Sequence, residues 1–226
     1  LIHLREEVAR LRLEVSRLAT PIAFLLRRRG FRVYKQAGAA DVLLPAPSHL
    51  DAWYALLAKY SFRLFLRDVI RHQDRFTVDL LTRYSTARTV RSYISFLLES
   101  GLAEETRNAF RLVHRPVTSF GPTLEWYVAE LLRREFGAEA LWGVKFRRPK
   151  VGGDYDVIAR LGSVLVYVEV KSSPPKQIYD SEVRAFLDRV EDLAPELAVF
   201  LMDTELRMKD KLVPMFEQAL AERSPA

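Results

Sequence analysis

The run from Gly152 to Ser173 constrains the fold more than any other part of the chain. Tyr155-Asp156-Val157-Ile158-Ala159 and Val164-Leu165-Val166-Tyr167-Val168 are rich in β-branched and aromatic residues, and Gly162-Ser163 between them suits a two-residue hairpin turn. With a tight turn Leu161 faces Val164, and the same register sets Asp156 opposite Glu169, with Cβ atoms roughly 5 Å apart. Like charges directly opposite each other destabilise a sheet, and a divalent cation between them removes that penalty. A period of two puts Glu169 and Lys171 on one face and Val168 and Val170 on the other. Asp154 falls on the same face, opposite Lys171, and is a rival to Asp156 or a simple ion-pair partner for that lysine.

Composition bounds the class of protein. With 226 residues, the chain accommodates one large domain or two small ones. At 49% hydrophobic and 11% aromatic residues it reads as folded rather than disordered. The net charge of +6 favours a polyanionic partner. Eight lysines among 35 basic residues leave the excess to arginine, which suits phosphate recognition, although a GC-rich genome produces the same bias. The absence of cysteine excludes disulfides and thiolate-held zinc. No apolar run reaches the ~18–20 residues that span a bilayer, and no signal peptide is recognisable, so a soluble cytoplasmic protein is expected.

Three segments follow along the chain. In residues 1–47, Leu4, Val8, Leu11, Val15, Leu18, Ile22 and Leu25 keep a 4-3 spacing, the seam of a coiled coil. Such a seam serves either a homodimer or an amphipathic helix packed on its own core, and Thr20-Pro21 breaks it. Phe31–Tyr34 and Asp41–Leu44 read as short strands. In residues 48–116, helices are expected from about Ser48, over Phe76–Tyr84 and over Thr89–Ser100, ended by Gly101. A hairpin follows over Leu102–Val113 with Arg107-Asn108 at its tip. Residues 117–226 read as helix Pro122–Phe136, strands Leu141–Arg147, Tyr155–Leu161 and Val164–Val170, helix Ile178–Leu193, strand Leu197–Met202 and helix Lys209–Glu222, with Pro214 pointing to a start later than Lys209. That pattern is a mixed sheet flanked by helices, an α/β domain.

Two resemblances give these segments a meaning. The middle segment is similar to a winged helix-turn-helix domain, mainly α, with Arg88–Leu102 as recognition helix and start of the wing. Val90, Ile94, Leu97 and Leu98 would face its core. The resemblance implies that Arg88, Arg91, Ser92, Arg107 and Arg111 contact DNA, although winged helices also mediate protein contacts. The last segment resembles the PD-(D/E)xK nuclease superfamily, the restriction-endonuclease-like fold, over about 105 residues. Glu169-Val170-Lys171 matches its (D/E)-x-K element, Asp156 its preceding Asp, and Gly121–Ala129 its first helix, with Glu125 as the acidic residue. By that resemblance, Asp156, Glu169 and the Val170 carbonyl hold Mg²⁺ or Mn²⁺. Glu125 would act through water or on a second ion, Lys171 would orient or activate the attacking water, and Gln177 would touch the scissile phosphate. The implied protein is a DNA endonuclease, with RNA as the other candidate substrate. The contrasting expectation is a DNA-binding regulator whose nuclease-like domain is a non-catalytic scaffold.

Overall fold

The computed structural model describes residues 7, 10, 21–38, 42–147 and 151–223. Most of the expected coiled-coil seam, Leu4 to Leu18, lies outside them, as does Asp41. The chain divides into two compact units, one formed by residues 1–36 with 128–226 and the other by residues 37–127.

The first unit is a mixed five-stranded sheet flanked by helices. Its order is β1 (Val33–Gln36), β4 (Glu139–Phe146), β5 (Tyr155–Leu161), β6 (Val164–Lys171) and β7 (Leu197–Met202). Neighbours run antiparallel except β6 and β7, which are parallel. A parallel pair needs a crossover, and helix α6 (Asp180–Leu193) supplies it; α7 (Leu212–Ala221) follows β7. The interior β6 is buried from Leu165 to Val170, which explains its unbroken apolar run. Short α1 (Ile22–Arg28) begins directly after Pro21 and buries Ile22 and Leu26 in the same core. Glu139 on β4 accepts the Ile22 N–H at 2.8 Å, tying that helix start to the sheet.

An aromatic chain runs through this core. Phe31 packs on Phe146, Phe146 on Tyr155, Tyr155 on Tyr167, Tyr167 on Phe186, and Phe186 on both Phe200 and Phe216. Helix α6 reaches it because Val183, Phe186, Leu187 and Val190 recur at helical spacing.

The second unit contains α2 (Leu50–Leu57), α3 (Tyr60–Arg71), α4 (Ala87–Glu99) and the hairpin β2 (Ala103–Thr106) and β3 (Ala109–Leu112). Thr86 caps α4 through its hydroxyl, and Gly101 follows the helix end at φ +73°. The hairpin pairs Thr106 with Ala109, so Arg107-Asn108 is the tip, as expected. Helix α5 (Gly121–Phe136) contains the boundary between the units, after Tyr127.

Several expectations are corrected. Phe76–Tyr84 is not a helix: only Asp79–Leu81 makes a 3₁₀ turn, and Phe76 instead forms a β-bridge with Phe110. The Phe76 carbonyl, which a helix would offer to the Leu80 N–H, accepts from the Phe110 N–H, and the Leu80 N–H donates to the Thr77 hydroxyl. Val42 and Leu43 are buried but form no strand; the Leu43 N–H is taken by the Thr123 hydroxyl. The last helix starts at Leu212 rather than Lys209, which puts Pro214 in its first turn, where its missing N–H costs nothing. Leu98 is half-buried rather than a core residue.

Candidate functional site

The expected hairpin register is observed from Leu161–Val164 to Val157–Val168. Continuing it would set Val170 opposite Tyr155. At that rung the Val170 N–H donates instead to Asp156 Oδ2 at 2.7 Å, so a carboxylate replaces a backbone acceptor. On the other side of β5, Val157 pairs with Trp142 and Tyr155 with Val144, leaving Gly143, at φ +57°, across from Asp156. The β4–β5 register is the same on both sides of Gly143, so the left-handed glycine interrupts the pairing locally without inserting a residue. On its other side the β5–β6 hairpin opens where Asp156 turns towards β6. Asp156 Oδ1 has no hydrogen-bond partner among the described residues.

Glu169 is 1% exposed and fully engaged. Lys171 Nζ lies 2.9 Å from its Oε1, and Arg189 Nη2 donates to Oε1 at 2.9 Å and to Oε2 at 3.0 Å. The Tyr167 hydroxyl donates to Oε2, while Arg189 Nε donates to the Tyr167 oxygen at 2.9 Å. Lys171 also reaches Glu182 Oε1 at 3.3 Å, and the other Glu182 oxygen accepts the Tyr179 N–H at the start of α6. Gly153, at φ +104°, lies over this cluster; a Cβ there would stand 3.1 Å from Arg189 Nη1. A side chain there would push the guanidinium by a few tenths of an ångström, and the positive φ itself favours glycine.

The electrostatics follow from burial and charge. Burial and the neighbouring Glu169 charge push the Asp156 carboxyl up to about 7, against the bond from Val170 and the charges of Lys171 and Arg189. Burial also opposes ionisation of Glu169, but Arg189 and Lys171 outweigh it and hold Glu169 below its ordinary value. For Lys171, burial favours the neutral amine, but Glu169 overcomes it and the ammonium is retained. Burial and Glu169 together push the Tyr167 phenol up, so it remains a donor.

The structure brings together Asp156, Glu169 and Lys171, with Val170 between the last two. Asp154 is not a partner of Lys171: it pairs with Lys145 at 2.8 Å, on β4. Glu125 is half-buried one turn into α5, in the part of that helix that belongs to the second unit. Gln177 is exposed at the end of the 3₁₀ turn Pro175–Gln177. Among the described residues no three His, Asp or Glu side chains gather into a metal-holding group. As donors to an ion the chain offers Asp156 Oδ1, the Glu169 carboxylate and backbone carbonyls, all hard oxygens that suit Mg²⁺ or Mn²⁺. The chemistry of these donors suits such an ion, but Glu169 already accepts from Lys171, Arg189 and Tyr167, so an ion there has to displace one of them.

Arg189, Tyr167 and Glu182 were not singled out from the sequence. A signal existed for two of them. Glu182, Phe186, Arg189 and Leu193 fall on one helical stripe, so two charges sit on a face otherwise committed to the core.

In the second unit Arg88, Arg91, Ser92 and Ser95 are exposed on α4, and Arg107 is exposed at the hairpin tip. Arg111 differs: its Nε donates to Glu104 Oε1 at 2.7 Å across the hairpin.

No family model matches the chain, and no curated protein matches it by sequence. Solved structures do share its fold. Protein VC1899 from Vibrio cholerae aligns with a TM-score of 0.54 at 16% identity, covering 88% of this chain and 56% of that one. Can2 from Sulfobacillus thermosulfidooxidans, solved with cyclic tetra-adenylate, aligns with a TM-score of 0.50 at 16% identity, covering 89% of this chain and 55% of its own. The chain thus spans just over half the length of either neighbour. No helix among the described residues is long and apolar enough to cross a membrane.

Proposed function

We propose that this chain is a metal-dependent nuclease of the PD-(D/E)xK type that hydrolyses phosphodiester bonds in DNA. The observation that carries the reading is the opened hairpin rung, where Asp156 turns towards Glu169 while Lys171 bonds Glu169. A sheet with only a structural task gains nothing from two like charges at a buried rung. Can2, the neighbour solved with cyclic tetra-adenylate, holds a phosphodiester-linked ligand, which lends support to a nucleic-acid partner for a shared fold.

Asp156, Glu169 and the Val170 carbonyl would hold Mg²⁺ or Mn²⁺. The ion, when bound, supplies Lewis acidity towards the scissile phosphate. Lys171 keeps its proton, so it acts as a donor: it orients the attacking water and stabilises charge on a phosphate oxygen as the P–O bond to the leaving oxygen breaks. Glu182 fixes the direction of that ammonium. Replacing Lys171 with Met is expected to lower the turnover of nicked plasmid by about 10²–10³-fold at saturating Mg²⁺. Substrate affinity should change far less; equal losses in both would sink the positioning role.

The second unit reads as a winged helix, with α4 presenting Arg88, Arg91 and Ser92 to DNA and the hairpin presenting Arg107. Arg111 serves the hairpin through Glu104 and contributes less to binding than its charge suggests. Arg88→Ala with Arg91→Ala is expected to flatten the salt dependence of DNA binding by about two phosphate contacts, near 1.8 in log–log slope. Arg111→Ala should leave the slope nearly unchanged. Fluorescence anisotropy across a salt series reads both.

A second reading, a DNA-binding regulator with a non-catalytic domain, is favoured by one observation: every acceptor position of Glu169 is already filled by protein donors. Assay of plasmid and branched DNA with Mg²⁺, Mn²⁺ or EDTA separates the two. Cleavage that needs the ion and vanishes in Asp156→Asn supports the nuclease; binding without cleavage under every condition supports the regulator.

A further inference from the structure

A carboxylate offers about four lone-pair sites. Glu169 uses them on Tyr167, on Lys171 and twice on Arg189. An ion that takes Glu169 as a ligand must therefore displace a donor. Lys171 is also held by Glu182, and Tyr167 is locked in the aromatic core between Tyr155 and Phe186. Arg189 is the donor with somewhere to go. Its guanidinium borders an open cleft of about 500 Å³ lined by Val151, Gly152, Ala185, Asp188, Glu191 and Asp192. Asp188 and Glu191 bind Arg223 on the outer side of α6, so carboxylates that accept guanidinium groups already stand along this helix.

We infer that Arg189 is a built-in counter-cation that competes with the divalent ion for Glu169, and that it swings into the acidic cleft when the ion binds. The inference rests on the proposed metal site. Its physical basis is charge compensation. A buried carboxylate left without a partner is costly, and Arg189 removes that cost in the metal-free protein. The same bonds must be given up before Glu169 becomes a ligand, so part of the affinity for the ion is spent on releasing the arginine. Metal affinity is thereby set lower than the oxygen donors alone would give, and the fold does not depend on the ion. Once released, the guanidinium lies in that open cleft, beside the carboxylates of Asp188 and Asp192.

The test is calorimetric titration of the whole chain with Mn²⁺, comparing wild type, Arg189→Gln and Asp156→Asn. Arg189→Gln is expected to bind Mn²⁺ at least about tenfold more tightly than wild type, a difference of about 1.4 kcal/mol. Equal or weaker binding by Arg189→Gln overturns the inference. In wild type, NMR gives a reading that needs no variant: the Arg189 Nε–H, bonded to Tyr167, should shift and lose exchange protection on adding Mg²⁺. An Nε–H unchanged at saturating Mg²⁺ likewise overturns it. Mn²⁺ binding that survives in Asp156→Asn instead overturns the metal site itself, as does the absence of any binding in wild type and Arg189→Gln alike.

Discussion

Glu169→Ala is expected to lower the stability of the metal-free protein by about 3–5 kcal/mol, the range for breaking a buried ion pair from one side. The reason is what the substitution leaves behind. Arg189 and Lys171 are both largely buried, at 11% and 20% side-chain exposure, and both direct their charge at this carboxylate. Lys171 retains Glu182 as a partner, but Arg189 in its buried position keeps only the neutral Tyr167 hydroxyl, and it meets carboxylates again only by leaving the core for the cleft along α6. Tyr167 in turn loses the acceptor for its own proton. For a chain of this length the loss corresponds to a drop of roughly 6–20 °C in Tm. Glu169→Gln keeps an acceptor for Tyr167 and Arg189 and should cost much less. The decisive measurement is a double-mutant cycle by chemical denaturation with Arg189→Met. If Glu169→Ala is harmful because it strands a cation, removing that cation as well restores part of the stability. Strict additivity of the two losses would show that no such coupling exists. This result also governs how cleavage assays are designed, since inactive Glu169→Ala protein is open to the reading that it is unfolded.

The legible parts of the chain were those that local rules control. Gly162-Ser163 fixes the turn and the turn fixes the register as far as Val157 and Val168; beyond that rung the ladder opens and the Asp156 carboxylate takes the Val170 N–H. The hairpin of the second unit was readable for the same reason, with Arg107-Asn108 at its tip. What escaped depended on distant partners. Strand β1 is exposed on every residue and carries no alternation, so nothing in Val33–Gln36 announces its pairing with β4. Phe76 sits in a stretch with helical spacing, but its backbone is claimed by Phe110, 34 positions later. Arg189 is 20 residues from Glu169, and only the crossover geometry of α6 brings them together. Asp154 illustrates the limit of strand parity. It lies one residue before β5 begins, where the alternating rule no longer orients a side chain, and Lys145 captures it.

Asp156→Asn is expected to separate function from stability in opposite directions. Cleavage should fall by at least about 10³-fold, because the substitution removes a charged oxygen donor whose contribution to a metal-assisted phosphoryl transfer is several kcal/mol. Stability without the ion should rise. The Asp156 carboxyl is raised from 3.8 to about 7 in the folded chain, by burial first and by Glu169 second. A folded state that holds a proton more tightly than the unfolded one loses stability as pH climbs through that interval, from about 4 to about 7, and is level above it. Asparagine has no charge to bury, and its carbonyl oxygen still accepts the Val170 N–H. At pH 8 in EDTA the variant should therefore exceed wild type by about 2–4 kcal/mol, and the advantage should shrink towards zero near pH 4. Thermal unfolding across that pH series measures it. A variant less stable than wild type at pH 8 would mean that Asp156 is ionised comfortably in the folded chain, supported by Lys171 and Arg189 beyond what its burial costs. Added Mg²⁺ should narrow the gap from the other side, because an ion stabilises only the chain that keeps the carboxylate. The residue that costs most to keep charged is then the one the proposed chemistry cannot lose, and this is the physical signature of a site retained for activity rather than for the fold.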